Sequence, residues 1–381
     1  MNKSEEVVRE LVKSAFFGEA ADFSGDIDWQ EVFKEAKMQA VVALVFNCVP
    51  SDFCAEWKGY ANKSKARFLR VLYEQTKVVS LLQAADIGFV IIKGYAAAIY
   101  YPTPYSRTMG DVDILVADGC FDKAFTVLQE NGYKFEHDFG DDRDYRFKKD
   151  GVLFELHKKY SDKEYDIEDI LQAGVSRAET VTVYGDSFPV LPQAENGLLI
   201  LDHVRHHIYG GLGIRQIIDF MAFVYAEKDE EKFENEILPV FEKTGLGVLA
   251  KVIVKGCKRY FGLPTKAKWC ESADDKTCDE FMDRAFASGD FGRKSPYEYR
   301  PMETFTMSVK KYGFFRTLQR SGVENSKACK KYKVLRPFAW LYQLVRLTGR
   351  GIAALFRREK LFSDVNSAKE KTDFYKRLGI L

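Results

Sequence analysis

Residues 107–116 read Arg-Thr-Met-Gly-Asp-Val-Asp-Ile-Leu-Val, and two aspartates, Asp111 and Asp113, stand one residue apart in this stretch. The aliphatic residues that alternate with them predict a β-strand. On a strand, residues i and i+2 point to the same side, so both carboxylates face one way. Two like charges this close repel each other unless a cation lies between them. Oxygen ligands of this kind suit Mg²⁺ or Mn²⁺, so the stretch predicts a metal-dependent phosphoryl-transfer site.

A third candidate carboxylate is Glu155, which lies in the segment Val-Leu-Phe-Glu-Leu at residues 152–156. A charge within so apolar a strand is costly to bury unless it is paired or bound to a metal. If this strand lies beside that of Asp111 and Asp113, three carboxylates converge, as two-metal phosphoryl transfer requires. The alternatives are solvent-facing positions, namely a strand edge for the two aspartates and an exposed hairpin strand for Glu155.

A predicted strand-to-helix junction at Ile92-Lys93-Gly94 is a candidate phosphate site. Exposed N–H groups at the start of a helix favour phosphate, and glycine lets the backbone approach it closely. Lys93 adds a positive charge, and Arg107, just before the paired aspartates, is a second candidate phosphate ligand. An exposed loop lysine is the alternative for Lys93, and a structural salt bridge is the alternative for Arg107.

These motifs together resemble a known family. Over roughly residues 85–225 the chain is similar to the uncharacterised bacterial nucleotidyltransferase-like group of the polymerase-beta-type nucleotidyltransferase superfamily. The resemblance rests on Lys-Gly at 93–94, Tyr-Pro-x-Pro-x-x-Arg at 101–107, Gly-Asp-x-Asp at 110–113 and Glu-Leu-His at 155–157. It implies that Asp111 and Asp113 are metal carboxylates, that Glu155 is the third, and that Gly94 belongs to the phosphate-binding turn.

The predicted order of elements indicates an α+β fold, with a small mixed sheet of nucleotidyltransferase type flanked by N-terminal and C-terminal helical regions. We predict a helical region at 1–85, in which the apolar run 41–46 is either helix or strand. A nucleotidyltransferase-like α/β core follows at 86–192, with an Asp-Gly hairpin turn at 150–151. Residues 193–300 are predicted to be a helical domain, although 262–300 is polar and has no assigned element. Residues 301–381 are predicted to be a basic amphipathic region.

Histidines near these motifs are candidates for an acceptor pocket. His157 shares the predicted strand face of Glu155, where it is a proton shuttle, a substrate ligand or a structural histidine. His203 belongs to a cluster of three histidines on one predicted helix. We assign it to core or acceptor-pocket packing rather than to zinc, because no Glu-x-x-His pattern or nearby cysteine supports a zinc site. Arg215 and Asp219, four residues apart, are expected to pair on a helix face.

Length and composition exclude several classes of protein. The 381 residues are 46% hydrophobic and 30% charged, which is typical of a folded protein of two or three domains. The 7 cysteines are scattered and form no Cys-x-x-Cys pair, so we expect neither a disulfide framework nor a structural zinc site. No signal-peptide pattern begins the sequence and no apolar run has transmembrane length, so we expect a cytoplasmic protein.

Charge is distributed unevenly along the chain. Residues 327–381 contain fourteen Lys or Arg and four Asp or Glu, a net charge of +10, which leaves −9 for the first 326 residues. An acidic body argues against broad nucleic-acid binding. Within 327–360, ten basic residues are interleaved with aromatic and aliphatic ones. This pattern suits packing on the acidic body, or peripheral contact with an anionic membrane.

The sequence therefore predicts a nucleotidyltransferase that moves a nucleoside monophosphate from an NTP to an acceptor and releases pyrophosphate. The predicted cofactor is Mg²⁺ or Mn²⁺, and the predicted acceptor is a small molecule, a protein or an RNA end. The alternative is a catalytically degenerate protein of the same fold that binds nucleotide or a partner without transferring anything.

Overall fold

The computed structural model describes residues 1–138, 143–161, 166–294, 309, 313–326, 328–329, 332–356 and 361–381. The chain divides into two units, Met1–Tyr297 and Glu298–Leu381. The predicted basic segment 327–360 belongs to the second unit, and its residues 327, 330–331 and 357–360 lie outside the described part of the chain.

A five-stranded mixed sheet lies at the centre of the first unit. Its strands are β1 (Phe89–Ile92), β2 (Val112–Val116), β3 (Lys134–Asp138), β4 (Asp144–Lys149) and β5 (Val152–His157). Their order is β1-β2-β5-β4-β3; β2 and β5 are parallel, and the other neighbouring pairs are antiparallel. Asp150 and Gly151 join β4 to β5 with φ of 49° and 73°. These positive angles suit a two-residue hairpin turn, so the predicted hairpin is confirmed.

Helices precede, interrupt and follow this sheet. The N-terminal helices are α1 (Lys3–Phe17), α2 (Trp29–Met38), α3 (Val42–Val45) and α4 (Cys54–Ala84). Within the α/β part are α5 (Gly94–Ala98), α6 (Phe121–Glu130) and α7 (Ile167–Val175). Then come α8 (Gln193–Gly210), α9 (Ile214–Ala226), α10 (Glu230–Lys232), a π-helical turn (Phe233–Ile237), α11 (Leu238–Lys243), α12 (Gly247–Phe261) and α13 (Asp275–Ser288). The predicted α+β fold class is thus confirmed, and the ambiguous run at 41–46 is helical.

One face of the sheet forms the hydrophobic core together with α4 and α6. On β2 and β5, the alternate residues Val112, Ile114, Phe154 and Leu156 point to this face and are at most 1% exposed. Full burial of a large apolar side chain stabilises a fold by roughly 1.5–3 kcal/mol. Because strand side chains alternate between faces, the intervening polar residues are directed to the opposite side of the sheet.

The structure contains two elements that the sequence did not predict. Helix α13 lies in the polar stretch at 262–300, where no element was assigned, and buries Phe281 and Phe286. The side chain of Asp274 caps this helix by accepting a hydrogen bond from the Thr277 backbone N–H. A separate hairpin also forms from β6 (Glu179–Val183) and β7 (Asp186–Val190). Short amphipathic elements of this kind are easily mistaken for loops in a sequence rich in polar residues.

The second unit is helical where it is described. It contains α14 (Phe314–Asn325), a 3₁₀ helix (Lys333–Phe338), α15 (Ala339–Phe356) and α16 (Leu361–Arg377). Gly322 allows α14 and α15 to touch, because a Cβ there would lie 2.0 Å from the carbonyl oxygen of Ala339. Among the helices described for the whole chain, none has the combined length and apolar character that crossing a bilayer requires.

Candidate active site

The pairing of β2 with β5 brings two of the predicted carboxylates together. Asp113 lies directly beside Glu155 in the parallel register, so both side chains project from the same face. Both residues are buried, with 4% and 9% of their surface exposed. His157 follows two residues after Glu155 on the same face and is also buried. Asp111 stands just before β2 and is half-buried.

Each of the two buried carboxylates has a cationic partner. Lys93 Nζ lies 2.7 Å from Asp113 Oδ1, and Arg146 Nη2 lies 2.6 Å from Glu155 Oε1. Although burial opposes ionisation, the charge of Lys93 and a hydrogen bond from His157 hold the pKa of Asp113 below its usual range. The ionised carboxylate can only accept, so His157 Nε2 donates to Asp113 Oδ1 across 2.9 Å. The site therefore balances its buried negative charges with Arg146 of β4 and with Lys93 of the turn after β1.

Asp111 is electrostatically part of the same group. Burial, and then repulsion by Asp113 and Glu155, raise the pKa of Asp111 to about 6. Asp111 also lines the same cavity as Asp113 and Glu155. The structure therefore places Asp113 beside Glu155 as predicted, while a shared role for the three carboxylates stays a prediction.

The turn after β1 brings Lys93 and Gly94 to the carboxylates. Ile92 pairs with Asp113 across the antiparallel β1–β2 ladder, so Lys93 follows immediately beside the site. Lys93 has φ 53° and ψ −120°, an unfavourable backbone conformation for a residue with a side chain. At Gly94, a Cβ would lie 2.9 Å from the terminal methyl of Met109. Gly94 thus packs closely against the loop that precedes Asp111, and a larger residue there would displace the flexible end of the Met109 side chain.

Arg107 lies at the edge of this loop and is anchored to helix α9. Its Nε and Nη2 each lie 2.8 Å from one oxygen of Asp219, and Tyr101 Oη donates to the same carboxylate across 2.7 Å. The expected pairing of Arg215 with Asp219 is therefore wrong. Arg215 Nε instead lies 3.0 Å from Asp290 Oδ1. Helical spacing permits a pair on α9, but Asp219 is bound by Arg107 and Arg215 is bound to Asp290.

The histidines of α8 face the same region. His203 Nε2 lies 3.0 Å from His207 Nε2, and the two rings meet edge to face with centroids 4.5 Å apart. Burial, followed by the charge of Arg215, lowers the pKa of His207 to about 4, and burial also lowers the pKa of His203. Both imidazoles are therefore neutral at physiological pH, which leaves them able to donate or accept a hydrogen bond.

Most of these groups line one cavity of about 580 Å³. Its wall includes all the predicted metal, nucleotide and acceptor residues: Lys93, Gly94, Arg107, Asp111, Asp113, Glu155, His157 and His203. It also includes side chains for which the sequence predicted no role: Arg143, Asp144, Arg146, Lys159, Tyr160, Asp290, Phe291 and Arg293. The cavity wall thus combines carboxylates with several basic side chains, an arrangement that suits a phosphorylated ligand together with a cation.

Arg146 could have been found from the sequence. A two-residue turn at Asp150-Gly151 sets the register of the β4–β5 hairpin, and counting back from that turn places Arg146 opposite Glu155. The position of Phe291 carries no such local signal, because it depends on how a distant loop packs.

The donor atoms at the floor of the cavity fit a divalent cation. Oxygen atoms of Asp113 and Glu155 and a ring nitrogen of His157 all lie within 4.8 Å of one another. Carboxylate oxygens suit Mg²⁺ and Mn²⁺, and an imidazole nitrogen is a ligand that Mn²⁺ also accepts. Asp111 lies outside this close group of three. The structure thus offers His157 as a donor that the predicted ligand set did not include, and coordination through Nε2 would replace the hydrogen bond that this nitrogen donates to Asp113.

Comparison with known proteins gives one informative match. A family model described as "uncharacterised nucleotidyltransferase" matches residues 25–262, which is more than half of the chain. No protein with curated annotation matches significantly. Among solved structures, the chain is similar to an antigenic nucleotidyltransferase-like protein from Paracoccidioides brasiliensis, at 16% identity over 52% of this chain and 94% of that one. The TM-score of 0.35 is too low for that likeness to support an argument.

Proposed function

The chain belongs to the family of uncharacterised nucleotidyltransferases, and we propose that it transfers a nucleoside monophosphate from an NTP to an acceptor hydroxyl. The observation that carries this proposal is the adjacency of Asp113 and Glu155 across the β2–β5 pair, with Asp111 close by. Clusters of carboxylates on one face of a sheet are the means by which phosphoryl-transfer enzymes hold divalent cations. Placement of the family in the polymerase-beta-type superfamily is part of the proposal.

The proposed reaction exchanges one phosphoester bond for another. The acceptor oxygen forms a bond to the α-phosphorus, and the bond from that phosphorus to the oxygen bridging to the β-phosphorus breaks. Pyrophosphate leaves with that bridging oxygen, and the acceptor loses its proton. We assign Glu155 to assist this deprotonation, because its carboxylate lies at the floor of the cavity beside Asp113.

Asp111, Asp113 and Glu155 would hold the cation or cations, with His157 as an additional donor. A bound Mg²⁺ or Mn²⁺ supplies positive charge that stabilises the transferring phosphoryl group. Hard oxygen donors predominate among these residues, and this favours Mg²⁺ or Mn²⁺ over softer metals.

Lys93 and Gly94 would hold the triphosphate. Lys93 Nζ already lies in the cavity beside Asp113, so a small movement of its flexible side chain would bring it to an anionic ligand. Further positive charge on the cavity wall comes from Arg143, Arg146 and Lys159. Arg107 lines the cavity on the nucleotide side, but Asp219 occupies two of its three nitrogens, so we assign it to hold the loop beside the nucleotide rather than to bind phosphate directly.

The helices after Pro192 would form the acceptor wall, with His157 and His203 as the nearest hydrogen-bonding groups. Both are imidazoles that can donate to or accept from an acceptor hydroxyl. A small molecule, a protein side chain and an RNA end each offer such a hydroxyl.

Purified protein incubated with each labelled NTP and Mg²⁺ or Mn²⁺ tests the proposal. We expect pyrophosphate release and label transfer to an added acceptor pool or to the protein itself. Asp111→Ala should abolish transfer while leaving the circular dichroism spectrum unchanged, because Asp111 is half-buried and outside the core. Asp122→Ala, at an exposed position on α6, is the matched control and should stay active. Full turnover by the Asp111→Ala variant would refute the assignment.

The ion pairs at the site favour a second candidate function, which is nucleotide binding without transfer. Lys93 and Arg146 already neutralise the buried carboxylates, so the fold does not depend on a cation for charge balance. Calorimetry separates the two candidates. Mg²⁺-dependent NTP binding, with no pyrophosphate released in the presence of any acceptor pool, would support this second function.

A further inference from the structure

Two glycine-rich loops touch each other, and the second contributes Asp290 and Phe291 to the cavity wall. Gly-Gly-Leu-Gly at 210–213 joins α8 to α9, and Gly-Asp-Phe-Gly at 289–292 follows α13. A Cβ at Gly211 would lie 2.4 Å from the Gly292 backbone nitrogen, and a Cβ at Gly213 would lie 2.5 Å from that of Asp290. Only glycine permits this backbone-to-backbone contact. Since the family match ends at residue 262, the second loop is a feature that the family match does not cover.

This contact holds Phe291 in an unusual conformation. The residue has φ 54° and ψ 32°, in the left-handed region that a bulky side chain rarely adopts. Its neighbour Asp290 is buried and accepts hydrogen bonds from Arg215 Nε and Gln216 Nε2, at 3.0 and 2.9 Å. Backbone strain of this kind persists only where the surroundings enforce it, and it is concentrated at ligand sites.

The aromatic ring of Phe291 is displayed towards the cavity and is not buried in a core. The residue is 55% exposed and lines the cavity. The guanidinium of Arg215 lies over the ring, 5.3 Å from its centroid, and the ring of His207 meets it edge-on at 4.9 Å. The fold thus holds an exposed aromatic ring in place on two sides, and much of the ring surface remains available to a ligand.

The order of groups along the cavity indicates what kind of ligand would contact the Phe291 ring. Lys93 lies beside the carboxylates at the floor and close enough to His203 for its charge to act on that ring. His203 contacts His207, and His207 contacts Phe291. The series of cation at Lys93, neutral imidazole at His207 and aromatic ring at Phe291 matches the series of phosphate, sugar and base in a nucleotide, and His203 keeps its assignment to the acceptor. Nucleobases stack on aromatic side chains, and a neighbouring guanidinium strengthens such stacking.

We propose that Phe291 is the stacking platform for the nucleobase of the donor NTP, held in place by the interlocked loops 210–213 and 289–292. The proposal rests on the proposed function, because it assumes that the triphosphate lies at Lys93. It adds a base-binding wall formed by a part of the chain beyond the family match.

Titration calorimetry with two probes tests this proposal on the full chain. The probes are each NTP with Mg²⁺, and inorganic tripolyphosphate with Mg²⁺, which lacks a base. We expect Phe291→Ala to weaken NTP binding by about tenfold, since loss of one base–aromatic stack has an effect of this order. Tripolyphosphate binding should not change. Phe291→Trp, which restores a stacking surface, should recover NTP affinity.

Phe53→Ala is the matched control, because Phe53 is 48% exposed and does not line the cavity. It should leave both affinities unchanged. NTP affinity that is the same in Phe291→Ala as in the wild type would overturn the proposal, and so would equal weakening of both probes. If wild-type protein binds neither probe, the proposed function fails before the role of Phe291 comes into question.

Discussion

At the scale of single residues, the site is defined by how its buried charges are balanced. Lys93 pairs with Asp113, and Arg146 pairs with Glu155. An unpaired carboxylate buried this deeply would be costly, so the pairs stabilise the site in the absence of a ligand. The same pairs compete with any cation for the carboxylate oxygens. Lys93 therefore has two candidate positions, one on Asp113 and one on a bound triphosphate.

Replacement of Lys93 should separate these two roles. In Lys93→Met we expect affinity for Mn²⁺ alone to rise several-fold, because the competing ammonium beside Asp113 is gone. Affinity for Mg²⁺–tripolyphosphate should fall, because a phosphate ligand is lost. Calorimetry with each probe measures both effects.

Lys159→Met is the control for Lys93→Met. Lys159 lines the same cavity, is exposed, and has no acidic partner among the residues that the structure describes. Its replacement should leave Mn²⁺ affinity unchanged. A drop in Mn²⁺ affinity in Lys93→Met would mean that Lys93 supports the cation site rather than competing with it.

The histidine pair on α8 predicts a specific pH dependence of stability. In the folded protein the pKa of His207 is lowered to about 4, while an unfolded histidine titrates near 6.5. Below pH 6.5 the unfolded chain therefore binds a proton that the folded chain does not. The free energy of unfolding consequently decreases as the pH is lowered from 6.5 to about 4. We expect His207 alone to account for about 2 kcal/mol between pH 7 and 5.

Urea denaturation of wild type and His207→Gln at several pH values measures this contribution. The variant should lose less unfolding free energy between pH 7 and 5 than the wild type does. Identical pH dependence in the two proteins would contradict the depressed pKa of His207.

At the scale of elements, the site depends on the loop that precedes β2, and two contacts fix this loop. Arg107 of the loop is paired with Asp219 of α9, and Met109 of the loop packs against Gly94 of α5. The strand that follows is buried on both faces. Helix α9 therefore helps to position the two aspartates, although it contributes no ligand atom to the close group of donors.

The Arg107–Asp219 pair can be tested as a positioning device. Asp219→Asn should lower stability by about 3–5 kcal/mol, because it leaves the buried guanidinium of Arg107 without its counter-charge. The double variant Arg107→Met, Asp219→Leu should recover most of this loss. Urea denaturation measures both variants.

NTP affinity of the same double variant tests whether Arg107 contacts phosphate. Because two of its nitrogens are committed to Asp219, we expect affinity within a few-fold of the wild type. A much larger drop would identify Arg107 as a direct phosphate ligand.

At the scale of the whole molecule, charge and apolar surface are concentrated in the second unit. No acidic residue occurs from Ser326 to Arg358. Large apolar side chains in the described part of this unit are strongly exposed, among them Phe315 at 74%, Val334 at 78% and Phe338 at 65%. Exposed apolar groups interleaved with basic ones are typical of surfaces that bind anionic membranes.

Co-sedimentation of the full chain with vesicles that contain phosphatidylserine tests the membrane alternative; if the basic segment makes this contact, binding should fall in high salt. The variant Val334→Ser, Phe338→Ser should reduce binding, because it removes two exposed apolar side chains. Phe53→Ser, at an exposed position in the first unit, is the control. Equal recovery with neutral and anionic vesicles would exclude an electrostatic membrane contact.

Local pattern in the sequence determined the strands and the side of the sheet that each carboxylate takes. Alternation along residues 112–116 and 152–157 has a period of two, and this period alone separates the core face from the site face. The Asp150-Gly151 turn likewise sets the hairpin register, so the pairing of Arg146 with Glu155 was already implicit in the sequence.

Only the tertiary structure decided which strands are neighbours and which side chains share the cavity. The parallel contact of β2 with β5 joins Asp113 to Glu155, and no local rule specifies that contact. Helical spacing suggested that Asp219 pairs within its own helix, yet Arg107 supplies a better-aligned partner from another segment. Phe291 reaches the cavity only because two distant glycine loops interlock. The period of the sequence pattern determines the face of the sheet or helix on which a side chain lies. The residue with which that side chain pairs depends instead on long-range packing and charge.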